Sequence, residues 1–115
     1  MYALKNKVQL IGNLGNVPEI RVIENGKKMA RMSIATSEVY RNAQGERVTE
    51  SQWHNLVAWG KLADIAEKYL TKGKEVAIEG KLVNRSYNDK NGVKKYVTEV
   101  HVNELLLLGG KRAGE

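Results

Sequence analysis

QWHNLVAWGKLADIAEKYL, residues 52–70, is the stretch on which the fold turns. Its first half reads as a strand. Trp53 and Trp59, the only two tryptophans, lie six residues apart, so a side-chain period of two puts both on one face with Asn55 and Val57. Leu56, Ala58 and the ring of His54 fall on the other. Its second half reads as a helix, with Leu62, Ile65, Ala66, Tyr69 and Leu70 at the spacing of a buried stripe. A flat aromatic strand thus runs into a core-closing helix, divided at Gly60, and Tyr69 is expected in the core.

The elements on either side suit a small β-barrel. Lys5 to Asn13 alternates as a first strand, with Gly12 and Gly15 marking a bulge or a close backbone approach. Pro18 opens a short run, Glu19 to Ile23. Glu24-Asn25-Gly26-Lys27 reads as a hairpin of type I′, because Asn-Gly supplies its two positive-φ residues. Lys28 to Tyr40 is a long strand with Ala30, Met32 and Ile34 on one face and Arg31 and Ser33 on the other. A polar connection, residues 41–47, follows it. Beyond the helix, Gly73 beside Lys72 reads as its stop. Glu75 to Tyr87 alternates Val76, Ile78, Gly80 and Leu82, the core face, against Glu79, Lys81, Arg85 and Tyr87. Asn88 to Gly92 is another Asn-Gly turn. Lys94 to Leu108 is a last strand whose apolar end, Leu105 to Leu108, suits a segment covered on both sides. The order of strands, with one helix before the last two, is that of an all-β fold with one helix: a five-stranded Greek-key OB-fold barrel with long hairpin extensions and the helix between barrel strands 3 and 4. Residues 1–110 are expected to form this domain, and 111–115 a short polar tail.

Composition bounds the chemistry. The 115 residues carry no cysteine, which excludes disulfides, thiolate metal sites and cysteine nucleophiles. No apolar run approaches the roughly 20 residues of a membrane span and no secretory signal is visible, so a cytoplasmic location and no membrane partner are expected. His54 and His101 lie in different strands without clustered carboxylates, so no catalytic site, metal or cofactor is expected. Nineteen Lys plus Arg against thirteen Asp plus Glu leave a formal charge of +6, which favours an anionic partner. Aromatics interleave with the cations: Tyr40, Trp53, Trp59 and Tyr87 sit near Arg41, Arg47, Arg85, Lys90 and Lys94. Single-stranded nucleic acid is bound this way, bases stacking on rings while cations follow the phosphates.

The chain resembles the bacterial single-stranded DNA-binding protein family. The matching pieces are NKVQLIGNLG at 6–15, PE at 18–19, NG at 25–26, IATSE at 34–38, WHNLVAWGKLA at 53–63, KYL-x-KG at 68–73, V-x-IEGKL at 76–82, RSY at 85–87 and YVTEV at 96–100. The resemblance implies a homotetramer that coats single-stranded DNA without sequence preference during replication, recombination and repair, with nucleoid association. It implies stacking by Tyr40, Trp53, Trp59 and Tyr87, where the family often carries tryptophan at the two tyrosine positions and phenylalanine at Trp59. It also places His54 at a subunit interface. Phosphate contacts are expected from Arg31, Arg41, Arg47, Lys61, Lys72, Arg85, Lys90 and Lys94. Family members usually continue into a disordered linker with an acidic tip ending in phenylalanine. This sequence has no phenylalanine, so tail-mediated protein recruitment is not expected of it. Two other readings of the same residues are an OB-fold adaptor of the primosome type and an RNA-binding OB domain, since stacking does not test for a 2′-hydroxyl.

Overall fold

The structure is a computed structural model and describes residues 4–108; the tail expected at 111–115 lies outside them. Six strands and one helix follow the expected order: β1 (Val8–Leu14), β2 (Glu19–Val22), β3 (Lys28–Arg41), β4 (Arg47–Trp59), α1 (Lys61–Tyr69), β5 (Glu75–Asn88) and β6 (Lys94–Leu107). Hydrogen bonding runs β1-β5-β6-β4-β3, and a short pairing of β1 with β3, Asn13 to Ala35 and Leu14 to Ile34, closes the circuit. β2 adds only to the free edge of β3. The barrel is therefore five-stranded. It is mixed, because β4 and β6 run parallel, with Leu56 opposite Val100 and Val57 opposite His101. Counted by barrel strands, the helix stands between the third and the fourth, as expected.

Alternation fills the barrel. The inward residues of β3, β4 and β5 are Ala30, Met32, Ile34, Leu56, Ala58, Val76 and Ile78, all buried, and Val100 and Val102 join them from β6. The helix closes one end. Its buried stripe is Ala63, Ala66 and Leu70, with Leu62 partly covered. Tyr69 points away at 58% exposure, which corrects its expected place in the core. Over its nine residues the helix turns Ala63 and Ala66 to the barrel mouth, and Tyr69 lies at the edge of that stripe. It ends at Tyr69, with Leu70 already extended, so Gly73 shapes the following turn and is not the helix stop. At its other end Gly60 marks the break from the strand, with φ 59° and ψ −123°. Lys28 ties this helix to β3 through Asp64 at 2.8 Å and Glu67 at 2.7 Å. Those bonds, the one to Asp64 foremost, push the Lys28 ammonium above its ordinary range and hold the Asp64 carboxyl below its own.

Several local expectations are corrected. All three hairpins use a three-residue loop in which the glycine alone has positive φ: 83° at Gly26, 81° at Gly45 and 78° at Gly92. Gly26, Gly45 and Gly92 donate to the carbonyls of Ile23, Asn42 and Asp89. This is a type I turn closed by a glycine bulge, not type I′, because Asn25 stays at negative φ. The side chains of Asn42 and Asp89 further accept bonds from their own turns. The 41–47 connection is consequently a tight turn, and β4 begins at Arg47. β1 starts at Val8 and runs unbroken through Gly12, which marks the close backbone approach expected there, since any side chain would run into the Ala35 carbonyl. Leu82 is exposed, because β5 and β6 run on beyond the barrel as a two-stranded arm. Leu106 at 62% exposure is not covered on both sides: the register slips between Glu79 and Gly80, which sends Leu105 inward and Leu106 outward.

Replacing Ile34, which is fully buried, by alanine should cost about 2 to 5 kcal/mol in urea unfolding with an unchanged m-value. Tyr69→Ala should stay within about 0.5 kcal/mol of the parent. A large loss at Tyr69 would contradict the helix orientation.

Candidate nucleic-acid interface

β3 and β4 pair without a slip from Met29–Trp59 to Arg41–Arg47, so opposite residues share a face along the whole ribbon. Trp53, Asn55, Val57 and Trp59 lie on the outer face with Arg31, Ser33 and Ala35. Parallel pairing with β6 adds His101 to that face, and the β5–β6 register adds Lys81, Val83, Arg85 and Tyr87. Three expected stacking residues, Trp53, Trp59 and Tyr87, are thus on one wall of the barrel. Trp53 is 63% exposed, Tyr87 is exposed and Trp59 is half covered. The fourth, Tyr40, pairs with Val48 on the opposite face of the ribbon, near the tip of the β3–β4 arm. It is exposed but does not join the other three.

The rings are held from the side. Trp53 lies so close over Gly15 that any side chain there would run into its six-membered ring. Asn16, the next residue, accepts bonds from the Ser33 amide and hydroxyl, both at 3.0 Å, which fixes the β1–β2 loop against the outer face. Trp59 has the Lys27 ammonium 5.0 Å from its ring centre and the His101 ring tilted against it at 6.5 Å.

Between the rings lies a buried acid that the sequence reading did not single out. Glu99, on β6, is 2% exposed although it belongs to the outer face. Arg85 grips it with two bonds, Nε to Oε1 at 3.2 Å and Nη2 to Oε2 at 2.9 Å. Arg31 Nη1 donates to Oε2 at 3.1 Å, and His101 Nε2 lies 3.2 Å from Oε1. Three strands therefore send a base to one carboxylate. The bonds from Arg85, and then that from His101, hold the Glu99 carboxyl below its ordinary range despite burial, and Glu99 in turn raises Arg85. Val57 is also buried on this face, and its cross-strand neighbours are Arg31 and His101. The signal for Glu99 was one of parity: it is an acid on the strand face that faces Arg85. From sequence alone it looks like any surface glutamate.

The other expected cations spread around the wall. Arg41 and Arg47 are directly opposite each other at the arm tip, and Arg41 Nη1 donates to the Gly45 carbonyl at 2.7 Å. Like charges so placed repel unless an anion lies between them. Lys61 opens the helix two residues after Trp59, and Lys72 sits in the turn at its far end, off the aromatic wall. Lys90 is in the β5–β6 turn. Lys94 pairs with Asn88, on the arm face opposite Tyr87, with its ammonium 5.9 Å from the Tyr96 ring. His54 is on the inner side of the ribbon, where Thr36 Oγ1 lies 3.0 Å from its Nε2. Among the described residues no group of His, Asp or Glu side chains has the arrangement of a metal site, and no helix is long and apolar enough to cross a membrane.

Comparison with known proteins gives this wall its context. Residues 5–108 match the model of the Single-strand binding protein family. The chain is 47% identical over 110 residues to Single-stranded DNA-binding protein 1 of Chlorobaculum tepidum, covering 95% of this chain and 68% of that protein. It is 42% identical over 106 residues to the Single-stranded DNA-binding protein of Neisseria meningitidis serogroup A, covering 92% of this chain and 61% of that one. Among solved structures, the Plasmodium falciparum SSB complex with ssDNA superposes with a TM-score of 0.82 at 33% identity, covering 90% of this chain and 94% of that chain.

The Glu99 cluster carries a pH signature. A carboxyl whose folded pKa is depressed stabilises the fold fully above its unfolded value, about 4.3, and that stability is lost as pH falls through the folded value. Urea unfolding should therefore find the parent more stable than Glu99→Gln at pH 7, with the gap closing below about pH 4. A gap that does not change with pH would contradict the ion-pair account.

Proposed function

The chain belongs to the single-strand binding protein family, and from that premise we propose that it binds single-stranded DNA without regard to sequence, protecting exposed strands during replication, recombination and repair. The observation that carries this reading is the wall that presents Trp53, Trp59 and Tyr87 together on the outer face of one barrel. Each base stacked on such a ring adds about 1 to 3 kcal/mol, and any base has a face to offer, so affinity needs no sequence. Tyr40 serves from the arm tip, reached by a strand that bends around the ribbon edge. Arg41, Arg47, Lys61, Lys72, Lys90 and Lys94 neutralise phosphates along the way. Their spread around the barrel suits a strand that wraps, since no straight path meets them all. Arg31 and Arg85 lie among the rings, but both are tied to Glu99.

Within this reading residues 1–110 act as one binding domain in the cytoplasm, associated with the nucleoid, and its role is binding, not catalysis. The family is typically tetrameric. A second part of the outer wall fits assembly: Ile11 at 60% exposure on β1 and Leu106 on β6 flank Ala77 of β5, rimmed by Gln9, Glu79 and Glu104. Exposed aliphatics grouped in this way mark a contact surface. His54, on the inner side of the ribbon, is assigned to a subunit contact.

Tryptophan fluorescence should be quenched on titration with oligo(dT) at low salt; no quenching would sink the reading. Trp53→Ala and Trp59→Ala should each weaken binding by about 1 to 3 kcal/mol and leave the fold intact. In native mass measurements the parent should run as a tetramer, and Ile11→Arg should lower the mass. A parent that stays monomeric would remove the assembly from the account.

A further inference from the structure

Arg31 and Arg85 stand where a phosphate contact would be sought, yet the structure spends their charge inward. Two guanidinium groups share one buried carboxylate, with a histidine as its third partner. The charge left for a phosphate is at most one between two arginines, and a phosphate at either would also meet the field of Glu99. What the arrangement leaves outward is shape. Each arginine side chain is about two-fifths exposed, 40% for Arg31 and 41% for Arg85. The two-point grip on Glu99 orients the plane of Arg85. A guanidinium plane is weakly hydrated on its faces and stacks on flat π systems. Rings flank the cluster on the same wall: Tyr87 is two residues from Arg85, and Trp59 packs against His101, which reaches Glu99, while Val57 and Val97 lie across from Arg31 and Arg85.

We propose that Arg31 and Arg85, bridged by Glu99, form a flat nucleobase-stacking subsite between Tyr87 and Trp59 and not a phosphate contact, with Glu99 as the residue that positions them. The inference rests on the single-strand reading and refines it: the wall holds an additional platform made of paired arginines. It also explains an acid on a face that receives a polyanion. A free carboxylate there would repel the ligand, whereas one buried under two arginines holds them flat and hides its own charge.

The test is the salt dependence of binding to a short oligo(dT) by the parent, Arg85→Lys, Arg31→Lys and Glu99→Gln, with circular dichroism confirming the fold of each. The lysine variants keep the charge and a partner for Glu99 but lose the plane. Each should bind roughly tenfold more weakly, with an unchanged log–log salt slope. Glu99→Gln releases a guanidinium to phosphate, so its slope should steepen by about 0.7. Lysine variants with parental affinity, or a Glu99→Gln slope equal to the parent's, would overturn the subsite while leaving the single-strand reading standing. A parent that does not bind at low salt would overturn both. The lysine variants decide the question by themselves if Glu99→Gln does not fold.

Discussion

The ligand wall depends on one constraint, the unbroken register of the β3–β4 ribbon. Each outward residue of this pair, Trp53 and Trp59 included, has its place because no bulge intervenes between Met29–Trp59 and Arg41–Arg47. A slip of one residue would exchange the faces, sending both indoles toward the barrel interior and Leu56 and Ala58 into water. The register is pinned at both ends. At the arm tip the Asn42–Gly45 turn fixes the hairpin length. At the barrel end Ala30, Met32, Leu56 and Ala58 pack into the core, and Gly60 hands the chain to the helix.

The second determinant is electrostatic. A carboxylate at 2% exposure survives as an ion only if its partners compensate for the water it has lost. Glu99 finds them in three strands: Arg31 from β3, Arg85 from β5 and His101 from its own β6. The cluster thus links strands that are distant in sequence and fixes the relation of Tyr87 to Trp59. It connects barrel stability with the geometry of the binding wall, so a change in one reaches the other.

Much of this was legible in the residues. Alternation around Ala30, Ile34, Leu56 and Val76 yields the strands and their inner faces, and the helix before the last two strands selects the barrel. The same parity put Trp53, Trp59 and Tyr87 on outward faces. Where the reading failed, tertiary geometry overrode local pattern. Tyr69 has the spacing of a buried stripe, but the stripe that meets the barrel mouth is centred on Ala63, Ala66 and Leu70, and Tyr69 lies at its edge. Leu106 lies in an apolar run, but a bulge after Val102 turns it outward. Tyr40 is aromatic like the others, yet it shares the parity of Ala30, Met32 and Ile34 along β3, and the unslipped register keeps it on the face opposite Trp53. Glu99 was invisible because its burial depends on arginines from two other strands.

The most direct measurement of the central claim is a ¹⁵N–¹H spectrum of the two indole groups during titration with oligo(dT), with the core methyls of Ile34 and Leu56 followed in parallel. Both indole signals should shift to saturation together while the two methyl signals stay in place. Bound DNA, shown by mass, with unmoved indoles would contradict the account and place the ligand elsewhere on the barrel.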